Sequence, residues 1–265
     1  SPGVLAALVA VGGITALVGG LTMLAQPAVK TSLAWSTIAQ MGFMIMQCGL
    51  ALFPLALLHI VAHSLYKAHA FLASGTAVDL VASIRRPGPV AVPDGAAVAR
   101  AFGLALLIFT PIALAFGVAG KSPQAITLGA ILIFGVAYLL AQGLADAAPR
   151  ELTRRTTIFA LATTVSYFAL HAGAAALTAG VLPATPAPGP LEWVLPPTPA
   201  PGPLEWVLMV SGVLAFGLVA LAQALFPLWA HHPAAAGLRV HLAGGLYANA
   251  LFDRMVGNWA VRRST

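Results

Sequence analysis

Charge is what this sequence has least of. Only 8% of its 265 residues are Asp, Glu, Lys or Arg, while 60% are hydrophobic. A water-soluble domain carries roughly a quarter charged residues, so this chain cannot cover itself with a solvated surface. Cysteine is almost missing too. Cys48 is the single one, which excludes an internal disulfide and a Cys-x-x-Cys motif and leaves the redox compartment open. It lies in an apolar run, where a small buried hydrophobe is the ordinary role. The alternating strand pattern of an outer-membrane barrel is absent, which leaves helices as the spanning element. No Ser-His-Asp order, phosphate-binding Gly loop or paired-carboxylate site stands out. The chain by itself is therefore not expected to be an enzyme, and no cofactor or bound metal is expected. The opening Ser1-Pro2-Gly3 lacks an initiator Met and a basic region, so it does not read as a signal peptide.

What the sequence has is length of apolar run. Mean hydropathy is +0.93, and stretches near the ~20 residues that cross a bilayer recur throughout. Seven spans are expected: Val4–Leu24, Leu33–Phe53, Pro54–Ser83, Ala101–Ala119, Gln124–Ala145, Thr156–Leu182 and Leu204–Trp229. The expected fold is an all-α, polytopic membrane bundle of about seven helices, surrounded by lipid. Net charge is +6, but the basic residues stand singly or in pairs between apolar runs. They mark topology and do not form a nucleic-acid face. With the C-terminal tail placed in the cytoplasm, eleven of the thirteen basic residues fall on that side. Lys121 alone falls on the other, and Lys67 lies inside a span. The positive-inside rule supports that orientation and a multi-pass protein of the cell (inner) membrane.

Three segments are expected along the chain. Residues 1–145 carry the polar residues described next; 146–232 hold two further spans and a Pro-rich loop at 183–203; 233–265 form a cytoplasmic tail. The loop contains an exact repeat, Thr185–Leu195 recurring as Thr198–Leu208. A local duplication explains it, its prolines keep it extended, and Trp206 reads as an interfacial anchor. In the tail Leu238, Leu242, Leu246, Phe252, Met255, Val256 and Trp259 recur at helical spacing, with Gly244-Gly245 expected to bend an amphipathic helix.

The third span holds residues that an apolar helix should not contain. His59, His63 and Lys67 recur every four residues, each step turning a helix by about 400° and rising about 6 Å, so they share one slowly drifting stripe. Ionisable groups at membrane depth are functional candidates by default. Histidine titrates near neutral pH and a buried lysine moves toward that range, which suits a proton relay. A helix-to-helix hydrogen-bonding role is the plainer alternative. His-x-x-x-His can also hold zinc, but no carboxylate or cysteine lies nearby and Lys67 would repel the ion. His69 breaks the stripe and is expected to pack. Lys30 by position alone is a snorkelling lysine. Lys121, in Gly120-Lys121-Ser122-Pro123, fits either a broken helix at membrane depth or a plain surface turn.

Lys30-Thr-Ser-Leu-Ala-Trp-Ser-Thr-Ile-Ala-Gln-Met-Gly42, Leu58-His-Ile-Val-Ala-His-Ser-Leu-Tyr-Lys67 and Phe71-Leu-Ala-Ser-Gly75 resemble the proton-conducting antiporter-like superfamily. That superfamily includes the large membrane-arm subunits of respiratory complex I and the Mrp cation/proton antiporters. Gln47-Cys48-Gly49-Leu50, Ser64–Leu72 and Gly245–Arg254 are similar to the DabB family, membrane subunits of inorganic-carbon uptake complexes. The resemblance implies a cation-translocating role, with Lys30, His59, His63, Lys67 and Lys121 on the pathway. It also implies a soluble zinc-containing partner like a carbonic anhydrase. The superfamily fold has two inverted five-helix repeats, and this sequence matches the second. A longer protein or a separate chain is expected to supply the first.

Overall fold

In lipid a backbone amide has no water to bond, so a long apolar run folds on itself as a helix. The computed structural model, which describes residues 2–83, 92–145, 148–182 and 201–256, is built of such helices. The seven long ones are α1 (Pro2–Leu24), α2 (Val29–Gly49), α3 (Phe53–Ser83), α4 (Gly95–Ala115), α5 (Pro123–Gly143), α6 (Arg150–Leu177) and α7 (Pro203–Ala224). Short α8 (Phe226–Trp229), α9 (Ala236–Ala243) and α10 (Ala248–Met255) follow. Six of the long helices are apolar and long enough to cross a membrane. The exception is α2, whose mean hydropathy is lowered by Lys30, Thr31, Ser32, Gln40 and Gln47. Arg85, Arg86, most of the Pro-rich repeat and the tail beyond Val256 lie outside the described residues.

Helix ends follow local chemistry. Asp94 Oδ1 accepts the Ala97 amide at 2.7 Å and starts α4. Ser122 Oγ accepts the Ala125 amide at 3.3 Å, with Pro123 next in the first turn of α5. Pro54 likewise falls in the first turn of α3, where no amide is needed. Both α4 and α6 begin earlier than their apolar runs do, at Gly95 and Arg150. Hydropathy locates the lipid-facing band, whereas hydrogen bonding carries a helix on into its charged margin.

The closest packing joins α1 to α2. A Cβ added to Gly42 would lie 2.6 Å from the Ala16 nitrogen and 2.7 Å from the Gly12 oxygen, so only glycine fits there. Lipid offers helices no hydrophobic reason to associate, and small residues that let backbones touch take over that role. An antiparallel hairpin of α4 and α5 stands beside this pair, with Arg100 Nη2 donating to the Leu144 carbonyl at 3.2 Å. Its core with α6 combines five alanines, Ala101, Ala105, Ala137, Ala141 and Ala160, with the larger Val136 and Leu140. Helix α6 packs on α3, α4 and α5, and α7 packs on α1 and α5.

The helices alternate in direction, which gives the bundle two ends. At one end lie the α1–α2 loop and the tail; Gln26 Nε2 donates to the Leu242 carbonyl at 3.0 Å, and Leu242 is buried. The tail breaks where Gly245, Leu246 and Tyr247 take φ of 64°, 52° and 55°. A Cβ on Gly245 would meet Trp35 at 2.8 Å. Beyond the break, α10 exposes Leu251, Phe252 and Met255. At the other end lie the tight α2–α3 turn and the turn carrying Lys121.

Candidate functional site

Because α1 and α2 are locked by glycine contacts, the opposite side of α2 is held at a fixed distance from α3. The stripe of α3 meets it there. Lys67 is 6% exposed, and its ammonium donates to Ser36 Oγ at 2.8 Å and to the Leu33 carbonyl at 3.2 Å. That carbonyl also accepts from Thr37 Oγ1 at 2.9 Å. All three acceptors or neighbours are neutral, and no described carboxylate pairs with Lys67.

His63, 8% exposed, lies one turn earlier, and its Nε2 is buried with no hydrogen-bond partner. Orphaned buried polar atoms are rare enough to call for a role. The His59 ring follows at 6.1 Å between centroids, edge-on at 82°. Its Nδ1 donates to Gln47 Oε1 at 3.0 Å, with the amide oxygen assigned to face the ring, while the Phe43 ring stands 5.7 Å away. The neutral His59 ring then keeps Nε2 as an acceptor. From His59 to Lys67 the stripe climbs about 12 Å along the helix axis.

His59 and Gln47 open onto a cavity of about 540 Å³ between α1, α2, α3, α5, α6 and α7, whose other polar walls include Ser36, Gln40, Tyr138 and Gln223. It is far larger than one water requires, and its polar groups could hold a chain of them. His59 alone of the stripe lines this cavity, while His63 and Lys67 lie further along α3; a ring nitrogen beside such water can exchange protons with it.

Other expected pathway residues lie elsewhere. Lys30 is exposed in the first turn of α2. Lys121 is exposed at the α4–α5 turn, next to the Ser122 cap; two antiparallel helices meet there, not two halves of one broken helix. His69 is exposed on α3 and does not pack inward. Sequence reasoning gave no role to Ser36, Gln47, Tyr167 or His171. The same search for polar residues in apolar runs could have found Gln47 and His171, since each interrupts one. Among the described residues no group of three or more His, Cys, Asp or Glu could hold a metal ion.

The fold is that of a polytopic helical membrane protein, and Lys67, His63 and the half-buried His59 on one stripe of α3 mark its candidate functional site. Residues 1–86 match the family model described as NADH:quinone oxidoreductase/Mrp antiporter, TM. The chain is similar to a Halothiobacillus neapolitanus protein named "probable inorganic carbon transporter subunit DabB2". Identity is 35% over 251 residues, 94% of this chain and 43% of the relative, so the chain spans less than half that relative's length. A Hydrogenovibrio crunogenus protein named "probable inorganic carbon transporter subunit DabB" is 56% identical over 72 residues, 27% of this chain and 14% of its own. A chloroplastic NAD(P)H-quinone oxidoreductase subunit 5 of Cryptomeria japonica is 43% identical over 68 residues, 26% of this chain and 9% of its own.

Proposed function

We propose that this chain is the site-bearing part of a cation-translocating membrane subunit, with the proton as the cation, that energises inorganic-carbon uptake. The observation that carries the translocation reading is the α2–α3 seam: a buried lysine with only neutral partners, an orphaned histidine nitrogen and a second histidine facing a large cavity. The choice of inorganic carbon rests on the reach of similarity, since the relative named DabB2 aligns over 94% of this chain. A soluble zinc-containing, carbonic-anhydrase-like subunit is the expected partner on the strength of that resemblance. The end of the bundle bearing Lys30, Arg100, Arg150 and the tail is cytoplasmic by the positive-inside rule, in the cell inner membrane.

A second reading, an antiporter-like subunit of complex I or of a Mrp exchanger, is supported by local likeness to quinone oxidoreductase subunits. The seam is common to both readings. Lys67→Ala in the complete complex is expected to abolish growth rescue at ambient CO2 in a carbonic-anhydrase-deficient host. Unimpaired growth would remove the proposal. Purification through a C-terminal tag separates the readings: a large soluble zinc protein supports carbon uptake, and quinone-oxidoreductase or Mrp subunits support the alternative.

A further inference from the structure

The seam ends at the large cavity, which leaves open how a proton would leave on the far side. Helix α6 forms the cavity's opposite wall. There Tyr167 lines the large cavity and also a second cavity of about 120 Å³, and among the described residues it is the one side chain common to both. The second cavity is walled by apolar side chains and three polar ones, Tyr167, His171 and Lys121. His171 sits one turn beyond Tyr167, 8% exposed, with the two rings 6.1 Å apart and tilted by 41°. Lys121 is exposed at the mouth. Phe168 beside them packs between Phe109 and Phe116, at 5.3 and 5.4 Å, and fixes the register of α6.

His59 and His171 each lie about 9 Å inside the end of the bundle that bears Lys121, so transfer between them runs across the bundle by way of Tyr167. A phenol both donates and accepts, and a neutral imidazole takes a proton on one ring nitrogen while releasing one from the other. No described carboxylate or further cysteine competes for these atoms. The small cavity has room for a few waters and polar groups to hold them.

We propose that Tyr167 and His171 form a second proton-transfer station, carrying protons from the large cavity to the end of the bundle that bears Lys121. The step is balanced: a proton enters at one imidazole nitrogen, another leaves from the second toward the Lys121 mouth, and the ring resets by exchanging tautomers. Tyr167 passes a proton along its hydroxyl without net ionisation. This rests on the proton-translocation reading of the seam, and its test separates the two.

In membrane vesicles holding the complete complex, proton translocation is measured with a pH-sensitive dye, with assembled complex quantified in parallel. His171→Ala and Tyr167→Phe are each expected to slow translocation about tenfold or more, in line with loss of a positioned proton carrier. Added imidazole should restore much of the rate to His171→Ala. Pyrazole has the same shape but is a far weaker base, and should restore none. Equal recovery with both, or with neither, would make His171 a packing residue and overturn the station. Normal rates in both α6 variants with a dead Lys67→Ala would overturn the station and leave the proposed function standing. Normal rates in all three would overturn both. If His171→Ala fails to assemble, Tyr167→Phe decides alone: slowing supports the station, and an unchanged rate overturns it.

Discussion

Two polar sites share one apolar bundle and are built in different ways. The α2–α3 seam draws its ionisable groups from a single helix, four residues apart, and ties two of the three to named partners on α2: Lys67 to Ser36 and His59 to Gln47. The α5–α6 site takes Lys121 from a turn and Tyr167 and His171 from a helix, and holds them by packing around Phe168. A seam of hydrogen bonds fixes groups in place at membrane depth. A site packed by rings leaves polar atoms unpaired for passing water or ions. The first site nonetheless keeps one unpaired nitrogen, His63 Nε2, and its His59 stands about as deep as His171 does.

The sharpest way to break this contrast is at the glycine contacts beneath the first site. Gly42→Leu puts a side chain where the Ala16 nitrogen already lies 2.6 Å from an added Cβ. Overpacking of this kind costs about 1–3 kcal/mol or more, and α2 would lose the position that presents Ser36 and Gln47. Membrane abundance and thermal midpoint in detergent should both fall sharply. Gly173→Ala in α6, where an added Cβ meets nothing within 4 Å, should change neither. Similar losses in both variants would show that the two regions do not differ in tightness.

A smaller effect separates hydrogen-bonded from packed. Gln47→Leu strands the His59 Nδ1 donor, which costs about 1–3 kcal/mol when the group is buried. Tyr167→Phe removes no hydrogen bond and should leave the thermal midpoint unchanged, whatever it does to translocation. A large drop for Tyr167→Phe would mean that the second site is also held by hydrogen bonds.

The smallest expected effect lies in the turns. Ala51, between α2 and α3, has φ 57°, while Gly117, at the end of α4, has φ 72°. A left-handed alanine costs about 1–2 kcal/mol, partly offset because glycine gives up more chain entropy on folding. Ala51→Gly should therefore raise the thermal midpoint slightly and Gly117→Ala lower it by a similar amount. Destabilisation by Ala51→Gly would show that this turn carries no strain.

The relation of sequence to structure differs between the same two sites. Periodicity of four put His59, His63 and Lys67 on one stripe of α3, because helix geometry is local and 3.6 residues per turn needs no neighbour to be read. Apolar runs located the seven long helices for the same reason: the cost of burying unpaired amides in lipid is paid residue by residue. Their ends were less legible. Arg150 to Arg155 lie within α6, since hydrogen bonding continues where hydropathy stops.

Partners across helices were beyond local reading. Gln47 and His59 are 12 positions apart, and Lys67 and Ser36 are 31 apart. Their pairing depends on the rotation and depth of α2, which the Gly12–Gly42 approach to α1 sets. The two readings of Gly120-Lys121-Ser122-Pro123 could be separated only by the packing of α4 against α5, because a helix cap looks the same in either. The join between Tyr167, His171 and Lys121 likewise exists only once α6 lies against the α4–α5 turn. Sequence by itself determined that this is a helical membrane protein with a protonatable stripe on its third helix. Tertiary structure decided what that stripe touches and where a second polar site stands, because contacts between helices are set by side-chain volume and backbone approach at positions far apart in the chain.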